Sequence, residues 1–195
     1  LSGMGTALKA AAAATAAAVA GAATAIGALT TKAIEGYAAQ EQLVGGVETL
    51  FKTSSDTVVG YANDAYKTAG MSANEYMETV TSFSASLLAS MNNDTAAAAE
   101  KANVAITDMS DNANKMGTDI SLIQNAYNGF AKQNYTMLDN LKLGYGGTKE
   151  EMQRLLDDAS KLSGIKYDIS SYSDVVDAIH VVQTEMGITG TTAKE

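Results

Sequence analysis

Ser72-Ala-Asn-Glu75-Tyr-Met-Glu-Thr-Val-Thr-Ser-Phe-Ser-Ala-Ser-Leu-Leu-Ala-Ser-Met91 decides the fold. A Ser with a Glu three residues later is the spacing of a capping box, in which the two residues satisfy backbone N–H groups at a helix start. Behind it Tyr76, Val80, Phe83, Leu87, Leu88 and Met91 recur at steps of three and four, which places them on one helical face. The stretch predicts an amphipathic helix that must bury this face against other elements.

The same grammar extends in both directions. On the N-terminal side, Ser55 or Asp56 can cap a helix with Val58, Val59, Ala62, Ala65, Tyr66 and Ala69 on one face, closed by Gly70. On the C-terminal side, Asn92-Asn93 makes a turn and Asp94 caps a helix striped by Ala98, Ala102, Ala105, Met109, Ala113 and Met116, which Gly117 ends. Asp119 opens a helix with Ile120, Ile123, Tyr127 and Phe130 inward, and residues 134–143 read as a short helix or turn. Gly144-Tyr-Gly146-Gly147 is a flexible hinge or turn, and Thr148-Lys-Glu-Glu151 is a second capping box. It opens a helix with Met152, Leu155, Leu156, Ala159 and Leu162, ended by Gly164. Ser171 or Ser173 caps a last helix holding Val176, Ile179, Val182 and Met186, closed by Gly187. Residues 189–195 read as a polar tail cut in mid-chain. Val47–Phe51 can be extended or a helix start, and if extended it can pair with Lys166–Ile169 as one minor two-stranded ribbon. The expected class is all-α, a bundle of about six amphipathic helices over residues 46–195. No Pro interrupts the chain.

Residues 1–45 differ in kind. From Ala7 to Ala25, 13 of 19 residues are Ala, and 22 uncharged residues separate Lys9 from Lys32. Ala is the strongest helix former, so an Ala-rich helix is expected. As a helix, residues 10–31 would be about 33 Å long, close to the thickness of a hydrocarbon core. Each Ala methyl drives burial only weakly, at roughly 0.8 kcal/mol. The segment can lie in a helical assembly, insert into a membrane or form a partly disordered arm. Ala14, Ala18, Val19, Gly21, Ala22, Ala25, Ile26 and Leu29 are the expected self-association or membrane-contact residues, since small residues allow close helix approach.

The net charge of -9 is borne entirely by residues 48–195, with 20 acids against 11 bases. An acidic body is repelled by phosphate backbones, so specific nucleic-acid binding is not expected. Zero Cys and a single His remove thiol nucleophiles, disulfides and multi-His metal sites. The run Gly144–Lys149 has Thr before Lys, the wrong order for a phosphate loop. Asp108, Asp111, Asn112 and Asn114 lack the Gly and distal Glu of a calcium loop and read as a solvated helix face. His180 reads as a packed or half-exposed helix residue. Glu150/Glu151 and Asp157/Asp158 are neighbours that diverge by about 100° and read as surface charge. No catalytic residue, metal or cofactor is expected.

Three ordered runs carry a resemblance: Tyr61–Phe83, Ala105–Thr118 and, most strongly, Ile123–Thr148. They resemble the core region of phage tail tape measure proteins, in the version carried by long-tailed phages and prophages of Gram-positive hosts. The likeness covers roughly residues 40–195. Asn92-Asn93 departs from the Gly-rich turn expected there, and the long helical stretch that sets tail length is not in this chain. The resemblance implies a virion protein of the tail lumen, made in the bacterial cytoplasm, that acts in tail assembly and length determination and leaves ahead of the DNA at genome ejection. The partners it implies are tail tube and tail tip proteins, tail assembly chaperones, further copies of the chain and, during ejection, the host membrane. The alternative expectation is a membrane-active pore-forming module whose Ala-rich helix inserts into the host envelope.

Overall fold

The computed structural model describes residues 38–192. The chain divides into Leu1–Gln42 and Leu43–Glu195. The second unit, over its described residues, is an all-α helical bundle without strands.

Helix α1 runs over 38–51, and within the second unit it buries Val47 and Phe51. A 3-10 turn, Lys52–Ser54, leads into α2 (Ser55–Thr68). Then follow α3 (Ala73–Ser90), α4 (Thr95–Met116), α5 (Ile120–Phe130), a second 3-10 turn (Leu138–Leu141), α6 (Lys149–Ser163) and α7 (Tyr172–Glu185). Val47–Phe51 is thus helical, not extended, and 165–168 is irregular, so the expected ribbon does not form. Residues 47–51 extend α1 directly, and their Val47 and Phe51 use helical spacing to reach the core.

The helix starts follow the sequence closely. Ser72 accepts from the Glu75 amide at 3.3 Å, Asp94 from Ala97 at 3.0 Å, Asp119 from Ser121 at 2.8 Å, and Thr148 from Glu151 at 3.2 Å. Ser171, not Ser173, caps α7. The start of α2 differs from expectation: neither Ser55 nor Asp56 caps it, because the preceding 3-10 turn already supplies helical backbone there. Ser54 instead bonds the hydroxyl of Thr95 at 2.9 Å. Asn92 and Asn93 both sit at positive φ, 54° and 60°, so they perform the turn that glycine would otherwise make.

α4 is the axis of the unit, packed by α2, α3, α5, α7 and both 3-10 turns. At 22 residues it is about 33 Å long. Its Ala98, Ala102 and Ala105 let neighbours approach closely, while Ile106 and Met109 fill the space beyond. Phe83 of α3 meets Tyr172 of α7 edge-on at 6.1 Å, and Tyr127, Phe130 and Tyr135 form a chain of rings at 5.8 and 6.1 Å. Each large side chain so buried contributes about 1.5–3 kcal/mol of transfer free energy. Three expected core residues are out of place, and one of them, Met186, stands exposed at the C-cap of α7, past its last helical turn. The other two, Tyr66 at 80% and Leu162 at 50% exposed, lie at the margin of their helices' apolar stripes.

Candidate functional site

Among the described residues, a buried polar cluster lies along the C-terminal half of α4. Asp108, Asp111 and Asn112 are all buried there. The expected solvated face is therefore wrong for these three, although Asn114 is exposed as expected: α7 and the chain after it cover that side of α4. Asn112 donates to the Leu141 carbonyl at 3.0 Å and to Oε1 of Gln183 at 2.7 Å. His180 Nδ1 lies 2.8 Å from Asp108 Oδ2, with its ring half-exposed. Asp111 accepts the amides of Gly190 at 2.6 Å and Thr192 at 2.7 Å. The Thr191 hydroxyl donates to the Ile188 carbonyl at 2.9 Å and approaches the Asp111 carbonyl and carboxylate at 3.3 and 3.5 Å. Asn114 donates to the Thr192 hydroxyl at 2.9 Å.

Residues 188–192 are consequently a docked strap, not a free polar tail. Gly187 closes α7 at φ 64° and turns the chain back, Ile188 is buried, and Gly190 at φ 80° presents its amide to Asp111. Both glycines occupy the left-handed region that other residues enter at a cost.

Electrostatics couple His180 to Asp108. The hydrogen bond to Asp108 raises the imidazole above its ordinary value, and burial raises the Asp108 carboxyl above the usual carboxylate range. The pair therefore holds a proton more tightly than its members would in water. Asp177, three residues earlier on α7, adds negative potential to His180 and is itself ion-paired with Lys101 of α4. Burial pushes the Tyr127 phenol well up, and its hydroxyl, the Ser110 hydroxyl and the Asn112 Oδ1 atom lack hydrogen-bond partners within the described residues.

The Gly-rich loop is tied down at several points. Arg154 of α6 donates to the Gly144 carbonyl at 2.8 Å and stacks over the Tyr145 ring at 4.4 Å. Tyr145 donates to Asp158 at 3.1 Å, and the Gly146 amide donates to Glu151 at 3.0 Å. Gly147 is required for close approach: a Cβ there would meet the Thr136 carbonyl oxygen at 2.2 Å. Thr148 caps α6 as expected. Glu151 pairs with Arg154, and Asp158 with Lys161, at the surface. Ala14, Ala18, Val19, Gly21, Ala22, Ala25, Ile26 and Leu29 lie outside the described residues.

Sequence reasoning placed Asn112 on a solvated face and passed over Gln183, although a signal exists. Asn112 stands three residues after Met109, on the apolar stripe itself, and Gln183 stands four after Ile179. Polar amides at core register on two helices mark a buried pair. Among the described residues there is no group of three or more acidic or His side chains suited to a metal, and no helix long and apolar enough to cross a membrane. The chain matches no protein-family model, no curated protein and no solved structure.

Proposed function

We propose that this chain is a core segment of a phage tail tape measure protein, a structural component that occupies the tail tube during assembly and leaves ahead of the DNA. The observation that carries the reading is the resemblance of three ordered runs, Tyr61–Phe83, Ala105–Thr118 and Ile123–Thr148, to that family; they lie between the middle of α2 and the cap of α6. The charge distribution supports it. An acidic body facing a DNA-filled channel is repelled by the phosphates and can slide without sticking. The Ala-rich segment provides self-association in this proposal, because small side chains allow several copies to pack closely.

The test is genetic and structural. An in-frame deletion of codons 43–192 in the phage or prophage that encodes the chain should abolish normal tails in electron micrographs, and supplying the intact gene should restore them. Normal tails from the deletion strain would remove the proposal. Leakage of liposomes exposed to the purified 195-residue chain would instead favour the pore-forming alternative.

A further inference from the structure

We propose that residues 189–192 form a releasable strap, held on the bundle by the negative charge of Asp111 and able to open while the bundle stays folded. The strap has almost no apolar anchoring beyond Ile188 at its root. Residues 189–190 form a turn and Thr192 enters a 3-10 turn, without strand pairing to the body, and the hold on the body is polar: the amides of Gly190 and Thr192 on Asp111, the hydroxyl of Thr189 on Asp108 at 3.5 Å, and Asn114 on Thr192. Among the described residues no basic side chain pairs with Asp111. The strap's own N–H groups are what stabilise that buried charge. Hydrogen bonds to an ionised acceptor are stronger than neutral ones, so removing the charge should release the segment that depends on it.

The geometry supplies a hinge and something to uncover. Gly187 and Gly190 sit at positive φ on either side of the root residues, where the backbone can swing at least cost. Thr192 forms one wall of a cleft of about 190 Å³, with Ser110, Asn114 and Glu75 among the others. Ser110 is buried with an unpartnered hydroxyl. Lifting the strap opens this cleft and gives that hydroxyl access to water or to an incoming polar group. A segment so held belongs to the low-stability end of the molecule, which opens before the core does.

Amide hydrogen exchange on the intact chain, read residue by residue by NMR, decides the matter. In the unsubstituted protein Gly190 and Thr192 should exchange faster than Phe83 and Leu155 of the core. Asp111→Asn keeps the shape but removes the charge, and should speed those two amides by about ten- to a hundredfold with the core amides unchanged. If Asp111→Asn does not fold, Thr191→Ala takes its place, since it removes the hydroxyl that donates to the Ile188 carbonyl at the strap's root at 2.9 Å and approaches Asp111 at 3.3 and 3.5 Å; the two amides should then speed several-fold. Strap amides that exchange at the core rate, or that do not respond to the substitution, would overturn the proposal.

Discussion

His180 of α7 places Nδ1 2.8 Å from Oδ2 of Asp108 on α4, a carboxylate that is 1% exposed. The bond spans 72 residues of sequence and joins the two helices that bracket the polar seam.

This pair makes stability depend on pH with a definite sign. His180 is raised in the folded state, so its contribution is complete below the unfolded His value of about 6.5 and disappears as pH climbs through the raised folded value. Asp108 is also raised, by burial, and acts in the same direction at lower pH. Urea denaturation between pH 6 and pH 9 should show stability falling with rising pH. The loss should be below about 1 kcal/mol, since the imidazole is over a third exposed and solvent screens it. His180→Gln should abolish that slope; an equal slope in the variant would assign it to other groups.

Asn112 and Gln183 should be energetically coupled. Asn112→Ala strands the Leu141 carbonyl and the Gln183 amide in the interior, at a cost of about 2–3 kcal/mol. Gln183→Ala should cost a comparable amount, and the double variant less than the sum of the two. Denaturant midpoints of the four proteins measure this, and strict additivity would mean that the bond contributes nothing.

Two glycines should respond oppositely to Ala. Gly147→Ala forces a methyl onto the Thr136 carbonyl and should destabilise by more than about 2 kcal/mol. Gly60 lies inside α2 with open space at its Cβ position, so Gly60→Ala should stabilise by about 0.5–1 kcal/mol. Thermal unfolding compares the two, and an equal shift in both would contradict the packing described for the Gly-rich loop.

The Ala-rich segment should drive association. Val19→Glu puts a carboxylate among uncharged residues, where burial without a partner is costly. Sedimentation of the intact chain, this variant and a chain beginning near Gln40 should give a larger species only for the first. A single species in all three would end the self-association proposal.

The bundle was readable because its signals are local. Ser72, Asp94, Asp119 and Thr148 cap helices from within one turn, and Phe83 or Leu155 reach the core by period alone. The polar seam was not readable in the same way. Whether Asp111 is solvated or buried depends on a strap about 80 residues away that folds back over it, and no local pattern reports that. Tyr66 failed for a related reason, since nothing in its own helix tells where the neighbouring helix stops.

Mass spectrometry of purified tails from the encoding phage, before and after triggered DNA ejection, tests the central proposal most directly. Peptides from residues 43–192 should be present in intact tails, resist added protease, and be lost once the DNA has left. Tails that never contain these peptides, or that keep them unchanged after ejection, would contradict the account.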